Sequence, residues 1–338
     1  MRRTIVAAID RRHGWLNLWI LRHAIWAFDA LCAYETRTDE GVVMNLASII
    51  VLVVKISIAL TVLGFGLGAS LRDATSLFRR PGLLLRSLVS MYVIMPLVAV
   101  ALVTAFELHP AVKITLVALS VSPVPPILPR KELKAGGSSE YTFGLLVATT
   151  VLAIVVVPLS IKILDQVFVR SIAMPVGPIA VLVFTTVLAP LTLGIFIREV
   201  MPTFAGRIAK PVGLIGLVLL ILCILPVLFK AMPAIVSLIG NGTLLAIVVF
   251  VLLALAAGHW LGGPEPENRS VLGLSTASRH PGVALAIAQT NFPEVKLAAA
   301  AILLYMLVCA IVSKPYMTWW RRKHPGSVDI PPVKTRHA

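Results

Sequence analysis

Charge is what this chain has least of. Asp, Glu, Lys and Arg make up only 13% of its 338 residues against 58% hydrophobic, and mean hydropathy is +0.95. Soluble domains carry about 25% charged residues. A soluble globule of 36.3 kDa has no interior large enough to hide this apolar excess, and disorder and collagen-like structure fail on the same numbers. The three cysteines, Cys32, Cys223 and Cys309, stand far apart with no CxxC spacing, which argues against a disulfide framework or zinc site. No gap between apolar runs is long enough for a soluble module. There is no HExxH and no carboxylate pair at mid-span, so the usual intramembrane metal and proteolytic chemistries lack their groups. The composition predicts an all-α polytopic membrane protein.

About 20 apolar residues cross a bilayer as a helix. Nine segments qualify: 42–70, 82–106, 111–134, 139–164, 175–197, 211–236, 242–262, 268–292 and 295–319. They form one transporter-sized unit over 42–320, with halves at 42–165 and 175–320, followed by a basic tail at 321–338. The net charge of +15, from 30 Lys+Arg against 15 Asp+Glu, falls mostly in the gaps between spans. In a soluble chain it would suggest nucleic acid; here it marks topology. Arg72, Arg79, Arg80, Arg130, Lys131, Lys134, Arg198, Arg207, Lys210, Arg269 and Arg321-Arg322-Lys323 share one side, which the positive-inside rule puts in the cytoplasm with the C-terminus. Residues 1–41 admit three readings: a tenth span around 15–34, an interfacial helix carrying Trp15, Trp19 and Trp26, or a chain that begins at Met44.

Two spans are broken. The third runs apolar to Ser120-Val-Ser-Pro123 and then meets Pro125, Pro126 and Pro129 before Arg130-Lys-Glu-Leu-Lys134 and Ala135-Gly136-Gly137. Proline lacks a donor and clashes with the preceding turn, so this run cannot be one helix. The eighth reads Ser275-Thr-Ala-Ser-Arg279-His280-Pro281-Gly282 and then resumes as Val283-Ala-Leu-Ala-Ile-Ala288. Pro123 lies roughly 18 Å along its span and Arg279 roughly 16 Å along its own, at 1.5 Å per residue. Matched interruptions in two halves point to an inverted-repeat secondary transporter with its site near the midplane. Irregular backbone survives at that depth only when buried in protein or lining a water-filled cavity.

Ionisable groups inside a membrane are functional by default, because their burial is costly. Arg279 offers a fork of donors suited to a carboxylate or phosphate, and we expect it to bind an anionic substrate; the alternative is a bond to Glu132 or to carbonyls freed by Pro281. His280 is a candidate for substrate contact or proton coupling, with Glu132 the nearest carboxyl for the same coupling. Lys55 falls near the middle of the first span. Ser122, Pro123, Thr149, Ser275, Thr276 and Ser278 cluster by sequence around the breaks as candidate cavity lining, although Ser and Thr also serve as plain interhelical hydrogen bonders. Gly64, Gly66 and Gly68 form a small-residue face that we read as close packing.

At these residues the chain resembles the bile acid:sodium symporter family over about 42–320. The likeness rests on Leu63-Gly-Phe-Gly-Leu-Gly68-Ala-Ser-Leu, Phe78-Arg-Arg-Pro-Gly82 and Tyr92-Val-Ile-Met-Pro96, then Gly282-Val-Ala-Leu-Ala-Ile-Ala288 and Asn291-Phe292. The resemblance implies nine or ten spans, a panel domain, a core domain where two broken helices cross, and alternating access for organic anions. It also implies sodium, but the expected ligand positions differ. Pro-Gly-Gly-Thr-x-Ser-Asn is replaced by Pro123-Val-Pro-Pro-Ile-Leu-Pro129, Glu-x-Gly-x-Gln-Asn by Ser275-Thr-Ala-Ser-Arg279-His280, and a Gln by Met91. A guanidinium about 4 Å from a cation repels it by about 4 kcal/mol at an effective dielectric near 20. The expectation is therefore a secondary transporter of a small organic anion in the cell membrane, with proton coupling or uniport in place of sodium. It needs no cofactor, no nucleic acid and no obligate protein partner beyond the lipid bilayer. An intramembrane enzyme, sensor or channel is the alternative.

Overall fold

A computed structural model of the chain describes residues 46–168 and 176–324. The readings of residues 1–41 and of the tail beyond 324 lie outside the described residues. From Ile50 on, the described residues belong to one compact unit.

Among the described residues all regular secondary structure is helical. The spans are α1 (Leu46–Gly68), α2 (Pro81–Ala105), the pair α3 (Pro110–Val121) and α4 (Pro129–Lys134), then α5 (Ser139–Phe168) and α6 (Val176–Val200). There follow α7 (Pro202–Ser237), α8 (Thr243–Leu261), the pair α9 (Pro266–Ala277) and α10 (Pro281–Asn291), and α11 (Ala298–Lys323). Seven of these helices are long and apolar enough to cross a membrane unbroken. The other two expected spans are the interrupted pairs, at 122–128 and 278–280. The chain is thus an all-α, multi-pass membrane protein. One boundary moves: a loop was expected before 211, yet α7 already begins at Pro202 and carries Pro211 inside it. Proline at the first helical position costs nothing, since its missing N–H would be unpaired there anyway, so Pro202 starts a helix that runs on past Arg207 and Lys210.

Proline also shapes the unbroken spans. In α2 a wide π turn covers Ser90–Ile94 just before Pro96, and in α6 another covers Phe184–Leu188 just before Pro190. The extra residue in each turn accommodates a ring that would otherwise collide with the carbonyl one turn back.

The small-residue face of α1 packs as expected at two of its three positions. A Cβ on Gly64 would come within 2.8 Å of Gly213 on α7, and one on Gly66 would strike the backbone of Leu191 and Gly194 on α6. Gly216 of α7 answers them, with Thr61 backbone nitrogen 2.6 Å from where its Cβ would be. Gly68 meets nothing within 4 Å; its carbonyl instead accepts from Arg198.

The broken pairs are mutual neighbours. α3 packs on α10, and α4 packs on α9. The first half of each therefore meets the second half of the other, and the two elements run in opposite directions. Both α3 and α10 open on His-Pro: His109 Nδ1 accepts from the Ala111 N–H at 3.1 Å, and His280 Nδ1 from the Val283 N–H at 3.3 Å. Gly136, at φ 84°, turns the chain out of α4. Gly137 then lets that turn lie against Val271 of α9 and the Glu132 carbonyl, where a Cβ would collide.

Candidate functional site

Four backbone carbonyls at the centre of the protein have no helical donor, three of them because a proline stands where that donor would be. In the π turn of α2 the Met91 carbonyl would accept from position 96, which is Pro96. Ser122 would accept from Pro126 and Ala277 from Pro281, while Pro123 lies in the non-helical break between α3 and α4. A buried carbonyl without a partner costs about 1–3 kcal/mol, and each of the four finds one. The Arg279 guanidinium donates to Met91 O at 2.7 Å and to Ser122 O at 3.1 Å. The His280 backbone N–H donates to Pro123 O at 2.9 Å, joining one break directly to the other. The Tyr305 hydroxyl on α11 donates to Ala277 O at 2.5 Å, and the Cys309 thiol approaches the same oxygen at 3.4 Å.

Arg279 is 2% exposed and His280 4%. Of the two alternatives raised for Arg279, the bond to Glu132 is not the one made. The guanidinium holds carbonyls, freed by Pro126 and Pro96 rather than by Pro281, and its carbon lies 5.9 Å from the Tyr92 ring centroid. Its Nε is left buried with no hydrogen-bond partner, and so is Nε2 of the adjacent His280. Because His280 Nδ1 accepts a backbone N–H, a neutral ring carries its proton on Nε2. Two neighbouring buried N–H donors are thus unanswered.

The remaining candidates separate into three groups. Ser122, Pro123, Ser275 and Thr276 are buried at the junction. Ser122 and Pro123 contribute their carbonyls; the Ser122 hydroxyl turns back onto Ala118 O at 2.7 Å. Thr276 pairs with Ser90 of α2 at 2.9 Å, and Ser275 donates to the Glu132 carboxylate across the α4–α9 contact. Ser278 is half-buried and faces Cys309 at 3.8 Å. Thr149, though buried, is satisfied within α5 by Leu145 O at 2.8 Å. Lys55 sits on the exposed side of α1, beside the outward-facing Leu52 and Ile56, and is not gathered with Arg279.

Sequence reasoning missed Met91 as a backbone acceptor, and Tyr305 and Cys309 altogether. Pro96 was the available signal for Met91, since it marks the carbonyl five residues earlier. For Tyr305 there was only a hydroxyl in an apolar run.

Residues 55–238, more than half of the 338, match the Sodium Bile acid symporter family. The chain belongs to this family. The match opens within α1 and closes at the end of α7, so it contains the first break and the α2 π turn. With its apolar spans, the matched domain makes the chain a membrane transporter of the sodium bile acid symporter family. No curated protein matches the chain significantly.

Proposed function

We propose that this family member carries a small organic anion by alternating access, with the anion bound against Arg279 and His280 where the two breaks meet. The observation that carries the reading is the pair of unanswered donors, Arg279 Nε–H and His280 Nε2, on adjacent buried residues, one of them a guanidinium. An anion supplies the acceptors they lack, and a charge-assisted bond to a guanidinium is among the stronger hydrogen bonds available.

Sodium does not fit this site. The carbonyls of Met91 and Ser122, oxygens that could coordinate a cation, already hold a guanidinium, and Ser275 spends its hydroxyl proton on Glu132. Arg279 acts here as a cation that is covalently tethered. The glycine-packed set of α1, α6 and α7, and the set built around the breaks, supply the two bodies that alternating access requires, and the opposed directions of the broken elements suit an inverted repeat. The excess of Lys and Arg on one side sets the C-terminus in the cytoplasm of a cell membrane.

The test is a panel of organic anions against the purified protein. Anions that raise its unfolding temperature are then offered to proteoliposomes containing wild type or Arg279→Ala. Saturable uptake that Arg279→Ala abolishes supports the assignment; undiminished uptake by the variant overturns the anion site, and no uptake of any stabilising anion overturns the transport reading.

A further inference from the structure

Glu132 is the one carboxyl buried at the heart of the described structure, at 1% exposure. It sits in α4, whose neighbours are α5 and α9. Across from it on α9, the Ser275 hydroxyl donates to Oε1. From α5, the Thr142 hydroxyl lies near the same carboxyl and is buried without a hydrogen-bond partner. Tyr141, also on α5, feels the carboxyl's charge but gives its own hydroxyl to Ser87 at 2.8 Å. On α4 itself, the adjacent and half-buried Lys131 interacts with the carboxyl electrostatically, but no ion pair joins Glu132 to any described residue. On α9 the charged side chains, Glu267 and Arg269, stand six to eight residues before Ser275, on the order of 10 Å along the helix.

An ionised carboxylate buried at such a place with no ion pair to hold it is costly, and carboxyls so placed tend to neutralise instead. A neutral acid fits the surroundings. One oxygen accepts from Ser275, and the unpartnered Thr142 hydroxyl lies near the carboxyl. Glu132 and Ser275 also belong to different broken elements, so any movement that parts α4 from α9 exposes the carboxyl to water and to ionisation.

We infer that Glu132 is a proton-binding site between the two broken helices, holding a proton while α4 and α9 are in contact and releasing it to water when they part. Where the carrier moves an anion, as proposed above, this proton travels with it, and a monovalent substrate crosses without net charge.

The test uses the proton itself as ligand, so it stands or falls separately from anion transport. Infrared difference spectra of the full-length protein in detergent at neutral pH, wild type minus Glu132→Gln, should contain a carboxylic-acid C=O band and no matching carboxylate band. Glu132→Asp, which keeps a titratable group, should retain the acid band. Glu132→Gln, an isostere of the neutral acid, should unfold at the wild-type temperature at neutral pH and outlast wild type in alkaline buffer. A carboxylate band at neutral pH, or a Gln variant equally stable relative to wild type at every pH, overturns the proposal. An intact acid band in a protein that moves no anion would fault the transport reading alone.

Discussion

The Arg279 guanidinium donates to the backbone carbonyl of Met91, 188 residues earlier in the chain, across a distance of 2.7 Å. The same group holds Ser122 O at 3.1 Å, so one side chain ties α2 and the first break to the second. Lysine keeps the charge but offers no planar fork. Arg279→Lys should therefore leave one carbonyl bare and lower stability by about 1–3 kcal/mol, with Arg279→Ala costing more. Unfolding in detergent measures both, and a Lys variant as stable as wild type would remove the brace from the account.

Pro96 denies Met91 its helical donor, which suggests a reciprocal experiment. Pro96→Ala supplies an N–H at the position that faces Met91 O in the π turn and relieves a helix-interior proline worth about 3 kcal/mol. The variant should hold or gain thermal stability while Arg279 loses its sole claim on that carbonyl. Uptake of whichever anion the wild type carries should fall about tenfold, the equivalent of 1.4 kcal/mol in the barrier. Unchanged uptake would show that Arg279 and Met91 need not be joined for transport.

His280 caps α10 through Nδ1. Asn is a favoured cap and Ala a poor one, a difference of about 1 kcal/mol. His280→Asn should therefore keep the stability that His280→Ala loses, while both lose the Nε2 donor and bind anion more weakly. Equal stability of the two variants would deny the cap.

Close packing of α1 gives a graded comparison. Gly216→Ala forces a methyl to within 2.6 Å of Thr61 nitrogen, whereas Gly68→Ala adds one to open space. Overpacking costs about 1–3 kcal/mol, so the first should be measurably destabilised and the second close to neutral. A reversed order would contradict the helix contacts described here.

Replacing sodium by potassium on both sides of a proteoliposome should leave the rate of anion uptake unchanged within error. Strict dependence on sodium would refute the tethered-cation reading of Arg279 directly.

How much of this was legible beforehand follows from the physics of proline. Pro123, Pro125, Pro126 and Pro281 announce their breaks locally, since a missing N–H and a clashing ring act within one turn, and the structure interrupts the chain at 122–128 and 278–280 as expected. The carbonyls of Met91, Ser122 and Ala277, each facing a proline, can be counted from sequence. What catches them cannot, because Arg279 reaches Met91 and Tyr305 reaches Ala277 only through tertiary contact. Lys55 shows the opposite failure: depth along α1 follows from counting residues, but which way the helix faces follows from its neighbours, and the glycines that decide this turn Lys55 outward. Glu132 stood in a basic run, Arg130-Lys-Glu-Leu-Lys134, that reads as a cytoplasmic loop. It is buried because Gly136 and Gly137 fold that run back beneath α9.

A positive group that never leaves its carbonyls has an electrical consequence. In a carrier of the proposed kind, switching access refocuses the membrane field across Arg279 whether or not cargo is present. One elementary charge across 100 mV is worth about 2.3 kcal/mol. A bound monovalent anion cancels that charge in the loaded carrier, and the Glu132 carboxylate, once its proton has left with the anion, cancels it in the empty one. Turnover should therefore be nearly insensitive to the membrane potential, whereas Glu132→Gln should leave the empty carrier's return voltage-dependent.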